Sequence, residues 1–299
     1  MVTAVIATRD RPQMVREAIG AALSQDYAGD IEVVVVFDQS TPDLTLARTG
    51  PTRSVRVITN THSAGLAGAR NSGIEAAEGE FIGFCDDDDY WLPTKLTRQV
   101  PLLERFPEAG LATCGIVVEY EGNTFSRVLE MEDVSFDELL RDRHTELHPS
   151  TFLLRRSLIG DIGPVDEHVP GGFGEDYEYL LRSARQHAIV NLREPLTVVR
   201  WGQQSFFVRR WEMMAAGLTW LLERYPEFER SPRGAARIQG QLAFAHASMG
   251  NRGAALSWAG HALRRNPMEP RAFLAAGIAA GLVSPDRVMT MLHRRGRGI

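Results

Sequence analysis

The spacing of apolar positions changes period along this chain. Val2–Thr8 is a short apolar run, after which Val15, Ile19, Ala22 and Leu23 recur at helical spacing. Ile31–Phe37 is β-branched and apolar throughout, which suits a strand buried on both faces. Val55–Thr59 repeats that pattern, Leu66–Ala77 reads as a helix of small residues, and Glu80–Cys85 reads as a further strand. Strands alternating with helices predict a mostly parallel sheet with helices on both faces. Such sheets bind ligands beyond the carboxyl ends of their strands. Three of the predicted strands end in polar residues: Thr8, Asp38 and the run Asp86–Asp89. These residues are expected to converge on one crevice.

From Leu111 the alternation weakens. "GLATCGIVVEY" and "NTFSRVLEM" predict a hairpin, "TFLLRRSLIGDIG" a short strand and a helix, and "LTVVRW" a last strand. "GGFGEDYEYLLRSARQ" has a glycine-rich entry to a helix carrying Tyr177, Leu180, Leu181 and Ala184 on one face. This is the profile of a substrate-covering subdomain on the same sheet. After Ser205 the pattern is helical. Leu242, Ala243, His246, Gly250, Ala255, Ala262, Leu263 and Pro267 fall at tetratricopeptide-repeat spacing, and the plain alternative is a generic helical hairpin. About one and a half repeats cannot bury their own faces, so this region should pack on the front domain or on a second copy.

Charge sharpens the division. The 299 residues carry a formal charge of -5, yet from Phe206 onward there are 14 Arg against 6 acids, a balance of +8. The first 205 residues therefore hold 19 basic and 32 acidic side chains, a balance of -13. No nucleic-acid partner is expected. The basic tail admits a homodimer through its helices, or a peripheral contact with an anionic lipid surface. No run of apolar residues is long enough to span a bilayer, and the N-terminus lacks the basic flank and cleavage site of a secretory signal. Cys85 and Cys114 both lie in apolar runs, as buried free thiols do in a reducing compartment, so a cytoplasmic location is expected.

The candidate chemistry starts from Asp86–Asp89. Four adjacent carboxylates repel, and one or more should resist ionisation. A solvated loop would tolerate such a run, but this one follows an apolar strand directly and precedes "YWLP". Asp-x-Asp at a strand end suits Mg²⁺ or Mn²⁺, which takes oxygen ligands and leaves positions for phosphate oxygens. An aspartate-rich prenyl-synthase motif would need an acid where Tyr90 stands, and haloacid-dehalogenase phosphatases carry their Asp pair after the first strand.

Four segments, "VIATRDRP", "VVVVFDQSTPD", "GLAGARNSGIEAAEGEFIGFCDDDDYWLPTKL" and "GGFGEDYEYLLRSAR", together resemble the inverting family-two nucleotide-sugar glycosyltransferases. The resemblance covers about Met1 to Phe206 and implies a GT-A fold: an α/β, Rossmann-like mixed sheet, mostly parallel, here followed by a C-terminal α-helical region. It implies a glycosyltransferase domain at 1–205, with a nucleotide-binding half at 1–110 and an acceptor half at 111–205, followed by the tetratricopeptide-like tail at 206–299. By the same resemblance Thr8, Arg9, Asp38 and Arg70 line the nucleotide site, with Asp86 and Asp87 near the ribose. Asp88, with Asp86, holds Mn²⁺ or Mg²⁺. Asp176 of the "ED" motif, beside Glu175, is the catalytic base, and a base at a helix N-terminus stays ionised. One base on one face implies single displacement with inversion. The donor is a nucleotide-sugar, most readily a UDP-sugar; the acceptor stays open, and some members that modify peptides carry similar tails.

The chain departs from the family pattern in two places. Phe37 stands where a second acid often precedes Asp38, and Thr197 replaces the Gln of the processive Gln-x-x-Arg-Trp motif, although Arg200 and Trp201 are present. A processive synthase is therefore not expected. Arg200 is left between phosphate neutralisation and an ion pair, and His148 between a metal or acceptor contact and a structural role. The rival readings are a non-catalytic sugar-nucleotide or protein-binding module on this fold, and a glycoside hydrolase, which also uses two carboxylates.

Overall fold

The computed structural model describes residues 1–201 and 210–293. The chain divides into two compact units. The first comprises Met1–Ser135, His144–Glu167 and Tyr179–Arg200, and the second Phe136–Arg143, His168–Glu178 and Trp201–Ile299.

The first unit is built on one ten-stranded mixed sheet. Its strands are β1 (Val2–Thr8), β2 (Ile31–Phe37), β3 (Arg53–Thr59), β4 (Phe81–Phe84), β5 (Tyr90–Trp91), β6 (Ala109–Tyr120), β7 (Asn123–Arg127), β8 (Asp133–Val134), β9 (Leu153–Arg155) and β10 (Ala188–Arg200). The main path runs β3-β2-β1-β4-β9-β6-β10-β5, with β7 paired to β6 and β8 to β10. β3, β2, β1 and β4 are mutually parallel, and β9 runs antiparallel between β4 and β6. The predicted hairpin is β6 with β7. β10 is longer than "LTVVRW" predicts because it starts at Ala188 and absorbs Pro195 at a register shift, where a proline's missing N–H costs no ladder bond.

Helices cover both faces. Helices α1 (Pro12–Leu23) and α3 (Lys95–Arg105) pack their apolar stripes on the face that carries Ala4, Ile6, Val33 and Val35. Helix α2 (Leu66–Ala76) takes the opposite face, and its small residues have a physical reason. A Cβ at Gly73 would fall 2.2 Å from Val5 and 3.2 Å from Val36, so α2 lies against the sheet only because that position is glycine. β2 is buried along its whole length, as expected of a strand between two helix layers.

Helix α4 (Phe136–Arg141) belongs to the second unit, and α5 (Arg156–Ile162) to the first. Helix α6 (Glu175–Gln186) begins in the second unit. Among the described residues, the second unit continues in helices α7 (Trp211–Arg224), α8 (Pro232–Ser248), α9 (Arg252–Arg265), α10 (Pro270–Ala279) and α11 (Pro285–His293). Ala243, Ala255, Ala262 and Ala275 pack with Phe244 in its core. Gly250 turns α8 into α9 at φ +80°, and Leu242 is buried whereas Leu256 is 54% exposed. Among the described residues no helix is long and apolar enough to cross a membrane.

Candidate active site

The ends of β1, β2 and β4 bring Thr8, Asp38 and Asp86–Asp89 to one edge of the first unit's sheet. β1 pairs with β2 up to Thr8–Phe37, and the Asp38 N–H donates to the Thr8 carbonyl at 2.9 Å. Both loops that leave these strands hold a non-glycine residue in the left-handed region, Asp10 at φ 54° and Gln39 at φ 51°. Such conformations are uncommon and gather where the backbone is shaped for a ligand.

Asp38 is buried, and its carboxylate accepts from Asn60 Nδ2 at 2.9 Å, Gln39 Nε2 at 3.0 Å and the Gly65 N–H at 3.1 Å. Asn60 and Gly65 come from the β3–α2 loop, so this loop is tied to the end of β2. Arg9 is exposed. Arg70 reaches from α2 to Asp86, with Nη2 to Oδ1 at 2.7 Å, and its guanidinium lies 5.4 Å from the Phe84 ring centroid.

All four aspartates are engaged, two of them by one arginine. Asp87 accepts from Thr8 Oγ1 at 2.8 Å and from Arg11 Nη1 at 2.8 Å. The same Arg11 nitrogen lies 2.8 Å from Asp88 Oδ2. Asp89 accepts from Ser150 Oγ at 2.5 Å and from the Arg200 N–H at 3.2 Å, and His148 Nδ1 lies 3.3 Å away. Ser150 also accepts from the Asp86 N–H at 3.0 Å, and its carbonyl accepts from Trp91 Nε1 at 2.8 Å.

The protonation pattern follows from these surroundings. Burial raises the Asp86 carboxyl, but Arg70 and His148 outweigh it and hold the group below its ordinary range. Burial and the neighbouring Asp86 push Asp88 up to about 6, with Arg11 pulling the other way. Burial, then Asp86 and Asp88, raise Asp89 well above the carboxylate range, and burial also raises Asp87. The expectation that crowded acids resist ionisation is met at three of the four positions.

Asp86, Asp89 and His148 offer ligand atoms that lie within 4.8 Å of one another. Two carboxylates and an imidazole form a donor set that fits Mn²⁺, and the half-exposed Asp86 and His148 leave it open to solvent. Asp88 stands beside this group, with its carboxylate on Arg11.

Arg200 is engaged by acids. Its Nη2 lies 2.7 Å from Glu17 and its Nε 3.6 Å from Glu119, and its guanidinium sits 4.9 Å from the Tyr90 ring centroid. Trp201 is half-buried at the start of the second unit's last segment.

Glu175 and Asp176 open helix α6 in the second unit, after Gly171, Gly172 and Gly174, all at positive φ. Glu175 is 3% exposed, whereas the half-buried Asp176 receives Arg143 Nη2 on its Oδ2, and its Oδ1 accepts from the Tyr177 N–H at 2.7 Å. The two adjacent acids thus differ: Glu175 is enclosed, whereas the Asp176 side chain is 12% exposed and paired with Arg143.

Arg11, Asn60 and Ser150 belong to this site and were not singled out in the sequence. Arg11 carried one signal, an arginine between a strand end and a helix-starting proline. Ser150 reaches the acid run across 61 positions of chain, which no local pattern reveals.

Residues 3–163, more than half of the chain, match the model of glycosyl transferase family 2, and the chain belongs to that family. The undecaprenol-linked glucosyltransferase WfaP of Escherichia coli, whose name specifies UDP-Glc as donor and GlcNAc-diphosphoundecaprenol as acceptor, is 35% identical over 106 residues. That match covers 35% of this chain and 41% of WfaP. Staphylococcus aureus TarS in complex with UDP-GlcNAc shares the fold, at 18% identity and a TM-score of 0.60 over 99% of this chain and 92% of that one. A mannosyltransferase of Pyrobaculum calidifontis, solved with GDP-Man and Mn²⁺, shares it at 22% identity and a TM-score of 0.56 over 97% and 83%. The GT-A architecture, a mixed and mostly parallel sheet followed by a C-terminal helical region, is thereby established.

Proposed function

We propose that this protein is a metal-dependent, inverting glycosyltransferase that moves one sugar from a nucleotide-sugar, by preference a UDP-sugar, to an acceptor hydroxyl or other nucleophile. The observation that carries the reading is the edge at the ends of β1, β2 and β4. A buried Asp38, held by three donors, stands there beside an arginine-buffered acid run. Asp38 and Arg70, with Thr8 and Arg9 nearby, serve the nucleoside, and Asp86 and Asp87 its ribose. Mn²⁺ or Mg²⁺ would be held by Asp88 and Asp86, with Asp89 and His148 as the further donors gathered there. When bound, it supplies positive charge to the departing diphosphate. Asp176 takes the proton from the acceptor, a role supported by its place in the first turn of α6, where Arg143 pairs with its carboxylate, and by the enclosure of Glu175.

The donor set argues against a binding module that kept only the fold, because Asp38, Asp88 and Asp176 are all present. WfaP's name supports a lipid-linked saccharide as the first acceptor to try. Helices α7–α11 serve association or acceptor docking in this reading, as a tetratricopeptide-like module. The work is done in the cytoplasm, where the two buried thiols stay reduced. The test is transfer from labelled UDP-glucose and UDP-GlcNAc to a polyprenyl-diphosphate-linked GlcNAc, with Mn²⁺ or with EDTA. A β-linked product from an α-linked donor, formed only with metal, is expected. A product with retained configuration, or transfer unaffected by EDTA, contradicts it.

A further inference from the structure

Arg11 holds an asymmetric bridge. Its Nη1 lies 2.8 Å from both Asp87 Oδ1 and Asp88 Oδ2, but the two carboxylates are not equally covered. Asp87 has 7% of its side chain exposed and is also held by Thr8 Oγ1. Asp88 has 24% exposed and Arg11 itself 27%. One end of the bridge is therefore enclosed and the other is open to solvent.

The backbone under Arg11 is fixed. It follows Asp10 at φ 54°, immediately precedes α1, and its carbonyl accepts from the Val15 N–H at 3.1 Å. Movement is left to the long side chain, which can turn about its Asp87 contact. Asp86 is paired with Arg70 and Asp89 accepts from Ser150 Oγ, whereas Asp88 is met by Arg11. A guanidinium and a divalent cation cannot share one carboxylate oxygen without strong repulsion.

We propose that Arg11 is a displaceable counter-cation, which neutralises Asp88 in the protein alone, yields it to a divalent cation, and turns about Asp87 to place its charge on the donor's diphosphate. This rests on the metal-dependent reading of the same site. It follows that Arg11 weakens metal binding in the absence of nucleotide. It follows too that metal and nucleoside diphosphate each tighten the other's binding, since the freed guanidinium gains a phosphate partner. Arg11 thus makes the site take up metal together with donor.

The test is Mn²⁺ titration of the full chain, followed by electron paramagnetic resonance, with and without UDP. Arg11→Gln should bind Mn²⁺ about tenfold more tightly than the unaltered protein when UDP is absent. The factor by which UDP tightens Mn²⁺ binding should shrink in the same variant. Arg11→Lys, which keeps a charge but not the fork, should fall between the two. A residue that merely held the loop would, on removal, loosen Mn²⁺ instead. Should Arg11→Gln fail to fold by circular dichroism, Arg11→Lys decides by the same criterion. Equal or weaker Mn²⁺ binding by the variants, with the unaltered protein binding Mn²⁺ and UDP normally, overturns the proposal alone. No Mn²⁺ binding by the unaltered protein, with or without UDP, overturns both it and the metal reading.

Discussion

Lys95 Nζ lies 4.1 Å from the ring centroid of Trp91, and its side chain is wholly buried, with no hydrogen-bond partner at the nitrogen among the described residues. It is the one lysine in the chain. Burial pulls its amine down from 10.5 to about 8. At neutral pH the folded protein therefore carries a buried charge that the ring only partly compensates.

Lys95→Met should accordingly stabilise the protein by about 1 to 3 kcal/mol at pH 7, because each tenfold loss of proton affinity on folding costs about 1.4 kcal/mol. Below pH 8 both folded and unfolded states are protonated, and the cost is fully present. Between about 8 and 10.5 the folded state gives up its proton while the unfolded state keeps it, so the unaltered protein gains stability as pH rises. The gap between the two proteins should close over that window in urea titrations. A gap that does not change with pH would refute this account of Lys95.

Asn71 clasps Val165 from both sides: its Nδ2 donates to the Val165 carbonyl at 2.9 Å, and its Oδ1 accepts from the Val165 N–H at 2.9 Å. Its Nδ2 also donates to Glu167 at 2.6 Å, and Glu167 accepts from the Ser63 N–H at 3.0 Å. Asn71→Ala should cost about 2 to 4 kcal/mol, since it leaves two backbone groups unsatisfied. Burial opposes ionisation of Glu167, but its donors Ser63 and Asn71 outweigh it and hold the group down to about 2. That contribution is whole above about 4.5 and is lost as pH falls toward 2. Glu167→Gln should flatten the acid limb of the stability profile there, and an unchanged limb would place the acid sensitivity in another group.

Much of the first unit was legible because its strands are unmixed. Ile31–Phe37 offers no helical alternative, and the glycines of Leu66–Ala76 announce close packing. β10 was legible only at its apolar end. Asn191, Arg193 and Glu194 break its pattern, and Asn191 is held by side-chain bonds to the Leu129 and Met131 carbonyls, contacts about sixty positions away. The acid run was visible as a cluster, but its partners were not, because Arg11 and Ser150 are chosen by tertiary placement. Arg200, open in the sequence between phosphate and an acid, lies on Glu17 and Glu119.

Asp176→Asn should leave nucleotide binding unchanged and lower turnover about a hundredfold or more, the usual scale of losing a general base. Glu175→Gln should act chiefly on stability, because Glu175 is 3% exposed. Steady-state kinetics of both variants, with thermal unfolding alongside, separates the roles. Near-normal turnover in Asp176→Asn would move the base to another residue.

The most direct measurement of the central claim is calorimetric titration of the full chain with UDP, dTDP and GDP, each in Mn²⁺ and in EDTA. The account predicts that one nucleoside diphosphate, UDP first, binds with Mn²⁺ at least about tenfold more tightly than with EDTA, a difference of about 1.4 kcal/mol. It also predicts that Asp88→Ala removes that difference. Failure of all three to bind under either condition, or binding of UDP that is equal with Mn²⁺ and with EDTA, would contradict it.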